Sequence, residues 1–372
     1  MFLSVLYARI IKTHNMRKFF TCFFAALGLT TACGQKNYED ADVKVFAGLV
    51  ADLNVVVLDV RTAEEFAEGH IANAINVDVR SEGFAENAAR LLPQGYRVAV
   101  YCRSGRRSAM AAEVLATRGY KVVNLSGGIL AWQDARMPVT TDNYEVDVFA
   151  TPGGKLIRLH ALMHASIRME YDGREILIDP VTRLGERTID YSAMPKADYI
   201  FVTHEHADHF DKEALRSLSS DQSQLITKRR CAEMLEADSV KPSWAVMANG
   251  DTLSLADGIK VEAVPAYNTT EGHLQFHPKG RDNGFVLSID GLRLYIAGDT
   301  EDIPEMAEQK DIDIAFLPCN QPFTMTPGQL GRAAKMVKPR VLFPYHYGQT
   351  DVSQIPSQLE ADDIEVRIRH YE

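Results

Sequence analysis

Cysteine is scarce in this chain, with five among 372 residues, and Cys22 and Cys33 fall in an N-terminal segment of distinct character. The three that remain, Cys102, Cys231 and Cys319, are too few and too widely spaced to build a disulfide framework. A basic excess is also missing. The 50 acidic residues outnumber the 40 basic ones, leaving a net charge of -10 with both signs interleaved. That balance disfavours nucleic acid as a partner and offers no basic face to a membrane. Internal repeats and long low-complexity runs are absent as well, so the chain reads as globular domains. Its apolar run at residues 19–29 is too short to span a bilayer comfortably. What is present is enough hydrophobic residue, 46%, to bury more than one core, and the length suggests two domains.

The N-terminus has an order of its own. Met16-Arg17-Lys18 is a charged start, residues 19–29 an apolar stretch, and Thr30-Thr31-Ala32-Cys33-Gly34 a small-residue cleavage site. This resembles a bacterial lipoprotein signal, with Thr30 where such signals usually carry leucine and Leu29 one position early. The resemblance implies that residues 1–33 are the signal region, that Met16 is the true start, and that Cys33 carries lipid. The mature protein is then expected to be exported and anchored in the bacterial cell envelope, on the periplasm-facing membrane. Further on, the polar stretch 138–154 interrupts the periodic pattern on either side and reads as a linker between domains at 38–137 and 155–372.

In the first domain, Val55-Val56-Val57-Leu58-Asp59-Val60 is a β-branched run followed by Thr62-Ala63-Glu64-Glu65, the spacing of a capping box opening a short helix. Arg97-Val98-Ala99-Val100-Tyr101 repeats the strand signal, and residues 109–119 read as an amphipathic helix ended by glycine. Strand followed by helix predicts an α/β domain with a parallel sheet. Between strand and helix stands Cys102, followed by Arg103, Ser104, Gly105, Arg106 and Arg107. Backbone N–H groups, a helix N-terminus and three arginines all favour thiolate over thiol there. These residues resemble the rhodanese family over about a hundred positions. The run 59–66 with Gly69-His70-Ile71 is similar to its first signature, residues 102–108 to its active loop, and Gly127-Gly128-Ile129 with Trp132 to its closing signature. The resemblance implies that Cys102 takes a sulfane sulfur from a donor such as thiosulfate, as a persulfide stabilised by the loop, and passes it to a nucleophile.

The second domain is dominated by Thr203-His204-Glu205-His206-Ala207-Asp208-His209, directly after the apolar run Tyr199-Ile200-Phe201-Val202. A buried strand would deliver these side chains to the loop at its end, where they can converge. His204 and His206 can face one metal, and Asp208 with His209 a second. Imidazole and carboxylate suit zinc and similar ions, and two of them about 3.5–4 Å apart make a hydrolytic site. Two other strands also run into polar ends, one meeting Gly298-Asp299-Thr300 and one meeting Tyr345-His346. Asp299 is suited to bridge two ions and His346 to complete the second. Paired strands around Asp172-Gly173 and Asp290-Gly291, and helices at 302–310 and 326–337, make this a mixed α/β region.

The region resembles the metallo-β-lactamase superfamily in the cluster at His204, His206, Asp208 and His209, in Gly298-Asp299-Thr300 and in Tyr345-His346-Tyr347-Gly348. Finer signs, including His164-Ala165-Ser166, Asp179-Pro180 and Ala266-Tyr267-Asn268, are similar to the branch of ascorbate-6-phosphate lactonase and the phospholipase D that cleaves N-acyl phosphatidylethanolamine. The Gly-His-Thr sequence that usually carries the third histidine of the first metal is missing. His277 has the better context for that role and His273 is the fallback. The resemblance implies an αββα sandwich and two divalent ions, Zn2+ before Mn2+ or Fe2+. It implies a hydrolase of ester, lactone or phosphodiester bonds in a small-molecule or lipid-like substrate. Asp208 and Asp299 would serve catalysis, and His164, Tyr267, Asn268, Asn320 and Tyr345 are candidates for holding substrate. Two alternatives stand beside it. One is an iron-dependent persulfide dioxygenase coupled to the rhodanese domain, which would use one metal; the other is a non-catalytic lipoprotein that docks a partner.

Overall fold

The computed structural model describes residues 36–237 and 243–371, so the expected signal and Cys33 lie outside the described residues. The chain divides into two compact units, Met1–Val148 and Phe149–Glu372. In the first, strands and helices alternate: β1 (Glu39–Ala41), α1 (Val43–Val50), β2 (Val55–Asp59), α2 (Ala63–Ala67), β3 (Ala74–Asn76), α3 (Phe84–Leu91), β4 (Arg97–Tyr101), α4 (Arg106–Thr117), β5 (Lys121–Leu125) and α5 (Gly128–Asp134). The sheet is parallel throughout in the order β1-β5-β4-β2-β3. β2 is buried along its whole length and β4 along all but Arg97, in keeping with their mainly apolar sequences. Phe46, Tyr101 and Trp132 close the core edge to face. α2 starts on the expected capping box, with Thr62 and Glu65 each accepting from the other's backbone N–H. α4 starts three residues before the expected 109, because Gly105 at φ +89° lets the chain turn into the helix directly behind the cysteine loop.

From β6 (Glu145–Ala150) onward, whose first four residues precede the boundary, the chain forms two seven-stranded sheets. One holds β6, β7 (Leu156–Met163), β8 (Ser166–Tyr171), β9 (Arg174–Ile178), β12 (Tyr199–Phe201), β13 (Gln224–Thr227) and β14 (Ser243–Val246), in the order β14-β13-β12-β9-β8-β7-β6. Between β9 and β12 lies the small ribbon β10 (Arg183–Leu184) and β11 (Arg187–Thr188). The other sheet runs in sequence order through β15 (Thr252–Ser254), β16 (Lys260–Ala266), β17 (Asp282–Ile289), β18 (Leu292–Ile296), β19 (Ile314–Pro318), β20 (Val341–Tyr345) and β21 (Glu365–Val366). Alternate residues of both sheets, among them Ile157, Ile167, Ile178, Phe285, Phe316 and Phe343, form one core between them. α6 (Lys212–Leu218) and α7 (Arg229–Ala237) bury Leu215, Leu218 and Leu235 on the first sheet's side. Leu330, Val337 and Leu359 of α8 (Pro327–Val337) and α9 (Ile355–Leu359) pack in a second core on the other side. The result is the expected αββα sandwich.

Two expectations need correction. The linker 138–154 is shorter, because Glu145-Val146-Asp147-Val148-Phe149 alternates polar and apolar and forms β6, whose Phe149 enters the core. The helix expected at 302–310 is only a 3-10 turn at Pro304–Glu308. Both Asp-Gly hairpin turns are present, with φ positive at Asp172, Gly173, Asp290 and Gly291 as that two-residue turn demands.

Two predictions follow from the packing. A Cβ on Gly128, whose φ is +62°, would lie 2.5 Å from the Cys102 carbonyl oxygen and 2.6 Å from that of Arg103. Gly128→Ala should therefore lower stability by about 2–3 kcal/mol in urea unfolding. Gly119→Ala, at φ +87° with nothing within 4 Å, should lose only about 1–2 kcal/mol for the left-handed backbone. The second concerns Arg168, which lies 2.7 Å from Glu170 and 2.8 Å from Glu175. Burial, joined by the charges of Glu170 and Asp198, pushes the Glu175 carboxyl up to about 7 against the pull of Arg168. The folded chain thus binds a proton there that the unfolded chain has released, so stability from this group falls as pH rises from about 4.5 to 7. Glu175→Gln should flatten the stability profile over that window by about 1–3 kcal/mol relative to the parent chain.

Candidate metal centre and thiol loop

The chain leaves β12, which is held between β9 and β13, and enters the histidine loop through Thr203. Thr203 donates its backbone N–H and its hydroxyl to Asp179, at 2.8 and 2.7 Å, and so ties the loop to the end of β9. His277 comes from the loop between β16 and β17, Asp299 from the end of β18, and His346 from the end of β20. Both sheets therefore deliver donors to one edge of the sandwich.

Two clusters result: His204, His206, His277 and Asp299 in one, and His164, Asp208, His209 and His346 in the other, with the donor atoms of each within 4.8 Å of one another. Asp299 joins them. Its Oδ2 is 3.3 Å from His277 Nε2, 3.3 Å from His346 Nε2 and 3.9 Å from His204 Nε2, and its Oδ1 is 3.3 Å from His209 Nε2. Asp208 Oδ2 lies 3.2 Å from His164 Nε2 and 3.7 Å from His346 Nε2.

Outer partners fix the rings. His277 Nδ1 is 2.9 Å from Asp282, and His209 Nδ1 is 2.8 Å from Asp179, which turns each Nε2 toward Asp299. Arg281 clamps Asp282 and reaches 3.4 Å from His206 Nε2, leaving His206 Nδ1 toward His204 at 3.0 Å. His209 Nε2, Asp299 Oδ1 and both ring nitrogens of His346 are buried without a hydrogen-bond partner among the described residues. Buried polar atoms left unpaired within two converging donor groups are what cations would satisfy, so the donor set fits two divalent ions.

The charges agree. Burial holds His204 and His206 below the usual imidazole range, which keeps them neutral and ready to bind metal. Burial opposes the protonated form of His209 and His346, yet the nearby Asp299 charge prevails: His209 is held well above the usual value and His346 is pushed up to about 9. Without metal these two rings keep protons that a cation would displace. Asp299, despite burial, is held well below the usual carboxylate range by His209 and His346, and Asp208 by His164 and His346.

Other sequence candidates lie elsewhere. His273 sits 3.4 Å from Glu301 and belongs to neither cluster. Tyr345, proposed to hold substrate, is instead buried in the core, where its hydroxyl accepts the Gly298 N–H at 3.0 Å. Tyr267 is also a fastener, donating to Glu305 and accepting from Lys279. Asn268 is buried, and its amide and side chain donate to the carbonyls of His277 and Phe323. Asn320 receives Phe323 and Thr324 N–H groups on its carbonyl. Asp179, Asp282 and Arg281 were missed as ring-orienting residues. Asp179 carried a signal, since it too ends an apolar strand.

In the first unit Cys102 follows the central strand β4, at the carboxyl end of the sheet. Its Sγ accepts from Gly105 N at 3.2 Å and Ser108 Oγ at 3.3 Å. Arg103, Ser104 and Arg106 are exposed. The Arg107 guanidinium forms two 2.6 Å bonds to Glu65. Glu65 is held down to about 2 by that pairing, against the effect of burial. A cleft of about 410 Å³ lined by Arg61, Glu65, Arg103 and Leu130 adjoins the loop. Cys231 and Cys319 are buried, and burial pushes each thiol up to about 12.

Comparison with known proteins finds a match in each unit. A Rhodanese-like domain matches residues 42–135, and a Beta-lactamase superfamily domain matches residues 174–347. The chain is 30% identical over 189 residues to a UPF0173 metal-dependent hydrolase of Pyrobaculum neutrophilum, covering 50% of this chain and 81% of that protein. A UPF0173 metal-dependent hydrolase of Caldivirga maquilingensis is 31% identical over 190 residues, covering 50% and 80%. The crystal structure of a protein from Parabacteroides distasonis assigned as a metal-dependent hydrolase is 45% identical, with a TM-score of 0.58, over 62% of this chain and 100% of that one. With two converging donor clusters at the edge of an αββα sandwich, the chain belongs to the UPF0173 metal-dependent hydrolases of the β-lactamase superfamily and carries a rhodanese-like domain ahead of that fold.

Proposed function

We propose that the second unit hydrolyses an ester, lactone or phosphodiester bond in a small-molecule or lipid-like substrate, using two divalent ions with zinc ahead of Mn2+ or Fe2+. The observation that carries this is the pair of donor clusters joined by the buried Asp299. Bound there, two such ions supply Lewis acidity that activates water and stabilises the charge developing on the attacked group. Asp208 has 35% of its side chain exposed, against 3% for Asp299, so it is the carboxylate that an entering water or substrate meets first. Against the effect of burial, His164 and His346 hold its pKa well below the usual carboxylate range, so it stays ionised and accepts hydrogen bonds rather than carrying a proton. Leu274 and Phe323 are 49% and 42% exposed, and Phe276, next to His277, packs edge to face on Phe323 at 5.0 Å. An apolar lip beside the donors supports a substrate with an acyl or other apolar arm. The second complete cluster speaks against a single-iron persulfide dioxygenase.

For the first unit we propose sulfur transfer. The Cys102 thiolate attacks the outer sulfur of thiosulfate, sulfite leaves, and a persulfide remains on Sγ. A nucleophile such as cyanide then takes the outer sulfur and restores the thiolate. Gly105 N–H and Ser108 Oγ are placed to stabilise negative charge on that sulfur. The segment from Met16 to Cys33 supports export and lipid anchoring of the whole protein.

Two experiments test these readings. On metal-quantified protein, a panel of lactones, thioesters and phosphodiesters should give at least one turnover that chelation abolishes. Asp299→Asn should lower it by about 10³-fold or more, since that change removes a shared ligand. Two metals per chain are expected, and one iron per chain would overturn the reading. Cys102→Ser should abolish thiosulfate-to-cyanide transfer and leave hydrolysis intact; unchanged transfer would refute Cys102 as the nucleophile.

A further inference from the structure

The two clusters are unequal. Three imidazoles and Asp299 surround the first position, whereas the second has His209, His346, Asp208 and Asp299 within reach and His164 besides. His164 does not belong to the histidine loop; it comes from the turn between β7 and β8, and its φ is +57°, a conformation uncommon for a residue with a side chain. Backbone bonds pin it on both sides: its N–H donates to the Tyr371 carbonyl at 2.7 Å, and its carbonyl accepts the His346 N–H at 3.2 Å. Its ring lies on that of His346, with centroids 3.7 Å apart, and 6% of the side chain is exposed. Strain of this kind persists where surrounding structure enforces it, and it collects at functional sites.

We propose that His164 Nε2 is a ligand of the second cation rather than a group that grips substrate, an inference that rests on the dinuclear reading above. The second position then has five protein donors, His164, Asp208, His209, His346 and Asp299, against four at the first. Five nitrogen and oxygen donors exceed the four of a tetrahedral site, so the second position accepts Mn2+, Fe2+ or Co2+ alongside zinc more readily than the first. The first, with fewer protein donors, is the one that keeps room for a substrate atom. His164 thereby acts on specificity through metal occupancy.

The test is a count of coordinating imidazoles. Metal-free protein is loaded with two equivalents of Co2+ and the exchangeable, hyperfine-shifted imidazole N–H resonances are counted by proton NMR. The parent chain should show six, from His164, His204, His206, His209, His277 and His346. His164→Ala should lose one of them. A parent count of five, or an unchanged count in His164→Ala, would overturn the assignment, since a histidine that only hydrogen-bonds Asp208 does not ligate the metal. The parent count decides the matter even if the variant does not fold. Binding of fewer than two Co2+ per chain would instead remove the dinuclear reading on which the inference stands.

Discussion

Asp299 is a carboxylate with 3% of its side chain exposed, and its two oxygens face His277, His346, His204 and His209 within 3.9 Å. A buried negative charge is tolerable only when positive charge or donors compensate it. Without metal, the protons on His209 and His346 supply that compensation; with metal, the cations do. The remaining architecture can be understood as holding this one group still. Gly298, before it, takes φ +65° where a Cβ would lie 2.7 Å from the Asn283 carbonyl oxygen, and its N–H is fixed by the Tyr345 hydroxyl from the neighbouring region of the core.

The outer carboxylates extend the same logic. Asp179 serves two purposes at once, accepting from Thr203 to fix the start of the histidine loop and from His209 to orient its ring. Asp282 does this for His277 and is itself gripped by Arg281. The rings of His209 and His277 are thus aimed by carboxylates from the end of β9 and the start of β17, so the site's geometry draws on both sheets and not on one loop.

The histidine loop, Asp299 and His346 were legible in the sequence because each follows an apolar run that could only be a buried strand. That grammar extends to Asp179 after β9. What could not be seen was the second contact each residue makes. His164 takes its role from a strand turn meeting the end of β20, and Asp282 from facing a histidine across its own loop. Tyr345 shows the opposite error. It adjoins His346 in sequence, but Tyr345 is the last residue of β20 and packs in the core, whereas His346 lies past the strand end at φ +48° and joins the donor cluster. In the first unit the three arginines were visible, yet the Glu65 partner that claims Arg107 lies 42 positions away.

The close approach at Gly128 joins two motifs that look independent on paper. Ile129 and Leu130 donate their N–H groups to the carbonyls of Cys102 and Arg103, and the missing side chain at Gly128 is what lets the two backbones touch. The sulfur-bearing loop and the distant glycine pair are thus halves of one mould. Transplanting the cysteine loop into another scaffold without its glycine counterpart would carry over the reactive atom but not the shape that seats it.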